Sequence, residues 1–108
     1  MATPHTPSLG ARRAIRKIGA DLRRARLRRH LPMEVVAGRA FISRGTLGRV
    51  EQGDPAVSFG IYASVLQALG LIGPLGDLAA EDPVGVGLAD ERLPKRVRMK
   101  RAAEGAGR

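Results

Sequence analysis

Between Leu31 and Gly53 the chain is punctuated by residues that start or stop helices, Pro32, Ser43 and Gly53, which leaves room for two short helices and a tight turn. The residue before a proline is pushed out of helical geometry, and proline is accepted in the first turn of a helix. A helix is therefore predicted over residues 33–39, with Val36, Ala37 and Ala40 facing inward. After residues 40–43 the hydroxyl of Ser43 can cap the next helix, which carries Leu47 and Val50 inward. Gly53 stops that helix, because a residue without a Cβ enters the left-handed conformation at little cost.

The flanks supply the rest of a small core. Residues 9–30 read as one long helix starting near Ser8, with Ile15, Ile18, Leu22 and Ala25 recurring at three- and four-residue spacing. Its other faces carry Arg12, Arg13, Arg16, Lys17, Arg23, Arg24, Arg28 and Arg29 against a single acid, Asp21, so the negative charge must come from outside the helix. His30 is expected to cap it, its imidazole at the negative end of the helix dipole. Residues 54–58 form a proline-bearing loop, after which Ile61, Val65, Leu66 and Leu69 make a fourth helix ended by Gly70. Residues 71–80 hold apolar side chains between Gly73, Pro74 and Gly76 and are read as a turn and a short fifth helix. The expected organisation is a flexible N-terminus over residues 1–8, one all-α domain over 9–80, and a C-terminal tail over 81–108. The tail is acidic at first and basic later, and its end is expected to be disordered.

Composition narrows the function. There is no cysteine, which excludes disulfides, thiolate nucleophiles and Cys-ligated zinc. No run approaches the roughly 18 apolar residues of a membrane span, and no apolar stretch follows the polar first residues, so a soluble cytoplasmic protein is expected. A net charge of +9 on 108 residues attracts a polyanion. Single-strand and RNA platforms stack bases on exposed rings, and here the only aromatic residues are Phe41, Phe59 and Tyr62, which favours duplex DNA. Two short helices at this spacing make a helix-turn-helix, whose second helix enters the major groove.

Three stretches make the pattern more specific: Ile18-Gly19-Ala20-Asp21-Leu22-Arg23-Arg24-Ala25-Arg26, Leu31-Pro32-Met33-Glu34-Val35-Val36-Ala37, and Ile42-Ser43-Arg44-Gly45-Thr46-Leu47-Gly48-Arg49-Val50-Glu51-Gln52-Gly53. Over residues 18–71 the chain resembles the Xre or lambda-repressor-like helix-turn-helix family. The resemblance implies a five-helix all-α domain with Ser43, Arg44, Gly45 and Thr46 at the exposed start of the recognition helix and Arg49 one turn later pointing the same way. Arg44 and Arg49, with Gly45 between them, become the candidate base readers. A guanidinium fork donates two parallel hydrogen bonds to guanine O6 and N7, worth about 1 to 3 kcal/mol of discrimination. Ser43 and Thr46 are assigned to phosphate or a base edge, and Arg23, Arg24, Arg28 and Arg39 to phosphate. Arg26 and Glu51 match a family pair that bridges the first and third helices, which makes Glu51 structural.

The chain departs from the family at three places. Met33 stands where a phosphate-contacting glutamine is usual. Phe41 replaces the turn glycine, so the turn is expected to differ in geometry or to turn Phe41 into the core. Gly45 and Gly48 lie inside the recognition helix, each lowering its stability by up to about 1 kcal/mol relative to alanine. Their function would be close approach to the groove, with the helix firming up on DNA.

Residues 82–85 and 89–98, Asp82-Pro83-Val84-Gly85 and Ala89-Asp90-Glu91-Arg92-Leu93-Pro94-Lys95-Arg96-Val97-Arg98, resemble the tail of antitoxin regulators encoded with kinases of the HipA class. That resemblance implies an autorepressor that also binds and neutralises a toxin; the plain alternative is a basic tail that grips phosphate without sequence preference. Neither catalysis nor a cofactor is expected, because His5 and His30 have no nearby carboxylate or nucleophile pattern and are too few to hold a metal. The glycines after residue 70 form no phosphate loop, since no GK[ST] follows them. A basic amphipathic first helix also suits a membrane surface, but its stripe lacks Trp and Phe and is needed by the later helices. A protein-interaction scaffold that merely retains the motif is the remaining alternative. One recognition helix reads only a few base pairs, so a homodimer on half-sites about 34 Å apart is expected. Its interface would be the outer face of the fourth helix with Tyr62, the short fifth helix, or an exchange of residues 84–97.

Overall fold

The computed structural model describes residues 5–85 and 93–99; the expectations for residues 1–4, 86–92 and 100–108 lie outside the described residues. Among the described residues four α-helices follow one another, α1 Leu9–Arg28, α2 Met33–Ala40, α3 Arg44–Glu51 and α4 Phe59–Ala68, and a 3-10 turn, Gly73–Asp77, comes after them. Among the described residues there is no strand. The fold is all-α, but the expected fifth helix is only that single 3-10 turn. Gly73, Pro74 and Gly76 fall within five residues and penalise α-helix, and the bonds that form, such as Leu75 N–H to Ile72 O at 3.0 Å, close the tighter three-residue ring. The helical unit ends at Leu78; beyond it, residues 79–80 and 83–85 form turns and 93–99 carry neither helix nor strand.

Hydroxyls start three of the helices. Ser8, Ser43 and Ser58 accept from the amides of Ala11, Thr46 and Ile61 at 3.2, 3.1 and 3.3 Å, each satisfying one orphan N–H of a first turn. All four helices end in the same hydrogen-bonded loop, with Leu31 N–H returning to Arg26 O, Ile42 to Ala37 O, Asp54 to Arg49 O and Leu71 to Leu66 O. Such a loop needs a left-handed residue just before the returning amide, and His30, Phe41, Gly53 and Gly70 take it at φ 53°, 58°, 71° and 76°. For a residue with a Cβ that conformation costs about 1–2 kcal/mol. Phe41 therefore adopts the geometry a glycine would, and the residue is 93% exposed, so neither a changed turn nor burial in the core occurs. At the end of α1 the side chain that reaches a carbonyl of the last turns is Arg29, Nη1 to Ala25 O at 3.0 Å, while His30 contributes its backbone, N–H to Leu27 O at 3.0 Å.

The core gathers Leu22 and Ala25 of α1, Val36, Ala37 and Ala40 of α2, Leu47 and Val50 of α3 and Val65 of α4, with Leu47, Val36 and Val50 fully enclosed. Truncating a leucine so enclosed removes about 2–5 kcal/mol. Two side chains sit differently from their sequence-based assignment. Ile18 is 40% exposed, because the face of α1 turned inward is the one bearing Gly19 and Arg26. Tyr62 is buried and donates its hydroxyl to Asp54 O at 2.8 Å, so it cannot belong to an outer dimer face of α4.

Candidate nucleic-acid interface

α3 is placed by its neighbours before any ligand is considered. A Cβ on Gly19 would stand 2.6 Å from Gly53 N, so α1 meets the end of α3 backbone against backbone. Beside that contact Arg26 donates Nε and Nη2 to the two oxygens of Glu51 at 2.6 and 3.0 Å, and Nη1 to Leu31 O at 3.0 Å. The two side chains are 9% and 6% exposed. The charge-assisted bonds to Glu51 hold the guanidinium pKa above its ordinary value against the opposing effect of burial. α3 is thereby oriented about its own axis, with Leu47 and Val50 turned inward.

The opposite face of α3 is open and short of side chains. Gly45 lies at its middle, where an added Cβ would come only within 3.9 Å of Ser43 Oγ. Arg44 and Arg49 are both exposed but do not point the same way, since a five-residue separation turns a helix through about 140°. They flank Gly45 instead. At the N-terminal end the Ser43 hydroxyl donates to Thr46 Oγ1 at 3.0 Å while accepting the Thr46 amide. Gly48 has a different neighbour from the one its position suggested: its Cβ would lie 3.8 Å from Met33 Cε, so the methionine of α2 rests on α3 at that point.

Each arginine on this face has an acidic partner that sequence reasoning did not identify. Arg44 Nη1 donates to Glu34 Oε2 of α2 at 2.9 Å, with both side chains about two-thirds exposed, at 65% and 63%. Arg49 Nε donates to Asp54 Oδ2 at 2.9 Å, and Asp54 is the less exposed partner at 31%. Asp54 Oδ1 also accepts the Ala56 amide at 2.8 Å, and that bond, with the one from Arg49, holds the carboxyl below its ordinary pKa. The legible signal for this arrangement was Asp54-Pro55, an aspartate able to accept the amide two residues on.

The remaining basic candidates divide. On a helix of 3.6 residues per turn, Arg23 shares a flank of α1 with Arg12 and Arg16, beside the edge that meets α3, and the Arg16 Cα lies directly under Gly53. Arg24 and Arg28 fall on the outward side instead. Arg24 is engaged with Asp21 at 3.0 Å, which also holds Lys17 at 2.7 Å. Arg39 lines an open groove with Ala63, Ser64 and Gln67 of α4, apart from Gly45 and its flanking arginines. Among the described residues no group of three or more His, Asp or Glu side chains could hold a metal ion, and no helix is long and apolar enough to cross a membrane.

A family model described as a helix-turn-helix domain matches residues 17–79, more than half of the chain. No curated protein and no solved structure matches it.

Proposed function

The chain belongs to the helix-turn-helix domain family, which marks it as a DNA-binding regulator, and we propose that it reads operator DNA in the major groove with the face of α3 bearing Arg44, Gly45 and Arg49. The observation that carries this reading is the open strip at Gly45, flanked by two exposed arginines on a helix whose other side is locked by Arg26 and Glu51. Backbone with no side chain above it lets the helix seat deeply, and each guanidinium can then reach a base edge. Ser43 and Thr46 lie at the helix start, where amides and hydroxyls suit phosphate. Arg23, on the flank of α1 beside α3 and with no side-chain ion pair among the described residues, supplies the sequence-independent grip, whereas Arg24, Arg28 and Arg39 lie away from this face and would meet only a duplex that bends round the domain.

In this reading the protein acts by binding rather than by catalysis, works in the cytoplasm as a homodimer, and represses its own operon. Titration of promoter DNA from that operon against scrambled duplex, at two salt concentrations, tests it with wild type and Arg44→Ala. Wild type prefers the operon DNA, and the variant loses that preference while its salt slope falls by no more than one contact. If both proteins bind all duplexes equally, the charge is a nonspecific grip and base reading by α3 is refuted.

A second reading, neutralisation of a HipA-class kinase toxin, draws support from residues 93–99, where Leu93, Val97 and Met99 are exposed between Lys95, Arg96 and Arg98. Apolar side chains left in water within a basic segment suit a protein partner. Co-purification with the kinase from its own operon, lost on truncation after residue 80, is the expected result; retention by the truncated chain refutes a role for the tail.

A further inference from the structure

The two arginines on α3 are held in chemically different ways, and the difference bears on which of them arrives at DNA ready to read it. Arg44 gives one N–H of a terminal nitrogen, Nη1, to Glu34, so the acid competes with a base for the end of the fork. Glu34 accepts no other hydrogen bond among the described residues. Arg49 gives Nε to Asp54 instead, which leaves Nη1 and Nη2 both available. Asp54 in turn is fixed from four directions. Its Oδ1 accepts the Ala56 amide, its own amide returns to Arg49 O at 3.0 Å, and its carbonyl accepts both the buried Tyr62 hydroxyl and the Val57 amide. The chain Tyr62, Asp54, Arg49 thus runs from the core to the exposed face of α3.

We propose that Asp54 is a positioning residue for sequence readout: it holds Arg49 by Nε in one orientation, so that the free terminal pair of nitrogens is already aimed to take guanine O6 and N7. An arginine with a free side chain must surrender its rotamer freedom when it binds, whereas a planar fork already held by a fixed carboxylate surrenders less. The carboxylate also keeps Nε occupied, which disfavours the alternative in which Arg49 turns sideways and pairs with a phosphate. The inference rests on the reading of α3 as the recognition helix.

Selection of binding sites from a randomised duplex library, carried out with wild type, Arg49→Ala, Arg44→Ala, Asp54→Asn and Tyr62→Phe, tests both levels. Asparagine can still accept the Ala56 amide, so Asp54→Asn keeps the turn, and wild-type helical content with a single cooperative unfolding transition confirms that. Arg49→Ala loses a guanine preference at one position of the site. Asp54→Asn loses about tenfold of the preference at that same position, within the range one bidentate arginine supplies. It leaves the position read by Arg44 and the affinity for scrambled duplex undiminished. Tyr62→Phe shifts the same position in the same direction by less. A purely structural Asp54 would weaken all positions together, and that result overturns the proposal, as does an Asp54→Asn preference equal to wild type while Arg49→Ala loses it. If wild type selects no sequence, the recognition-helix reading falls and this inference falls with it.

Discussion

α3 is held on two sides by different physics. Against α1 the contact is backbone on backbone at Gly19 and Gly53, closed by a desolvated ion pair between Arg26 and Glu51. Against α2 the buried contacts are apolar, with the Met33 methyl resting near Gly48 and a small alanine at Ala37 in the core, and the one ion pair there among the described residues, Arg44 with Glu34, stays in water. The α1 side leaves no room for an added atom and no way to lose a charge. The α2 side rests on dispersion contacts and a solvent-exposed ion pair, which contributes little, and tolerates changes of a methyl group. A chain built this way fixes the rotation of α3 on the α1 side, and the exposed face of α3 can vary without disturbing that lock.

The sharpest way to break this comparison is Glu51→Ala, which leaves the Arg26 charge buried without its partner and lowers stability by about 3–5 kcal/mol. Urea denaturation reads it, and Arg26→Met with Glu51→Leu should lose less than either single change; a loss under about 1 kcal/mol for the single variant would mean the pair is not desolvated. Gly53→Ala and Gly70→Ala form a matched pair next. Both positions are left-handed, but a Cβ at Gly70 meets nothing, whereas one at Gly53 strikes the backbone of Arg16. Gly70→Ala should cost about 1 kcal/mol, Gly53→Ala at least twice that, and equal shifts in thermal midpoint would show that α1 gives way freely.

On the other side the effects reverse sign. Phe41→Gly relieves a strained conformation and loses almost no packing, for a gain of about 1 kcal/mol in thermal unfolding; a loss would reveal a contact made by the ring. The smallest effect sharpens the reading face: Gly45→Ala fits the free protein, stabilises it by about 0.5–1 kcal/mol and weakens binding to operon DNA. Unchanged DNA affinity would remove close approach as the reason for that glycine.

Much of the fold was legible because helix boundaries here depend on local chemistry. Ser43 as a cap, Pro32 as a start and Gly53 as a stop act within one turn of themselves, and the inward placement of Val36, Ala37, Leu47 and Val50 follows from helical periodicity. The fifth helix was misjudged where apolar composition outweighed the local cost of Gly73, Pro74 and Gly76. Phe41 was misjudged because intrinsic preference argues against φ 58° in a bulky residue, whereas the hydrogen bond from Ile42 N–H to Ala37 O needs that conformation. Gly19 left a weaker trace, a glycine inside an otherwise helical pattern, which implies a neighbour without naming it.

By itself the sequence determined that the chain is helical and basic, where α1 to α4 begin and roughly where they end, and that α3 carries exposed arginines, because capping, periodicity and net charge are properties of neighbours along the chain. Only the tertiary structure decided that Tyr62 is buried under Asp54, that Met33 rests near Gly48, and that Arg44 and Arg49 are paired with different acids in different ways. Those pairings join residues from separate elements, and the distance and angle that make a hydrogen bond arise only when the packing of α1, α2 and α4 fixes where α3 lies and how it is turned.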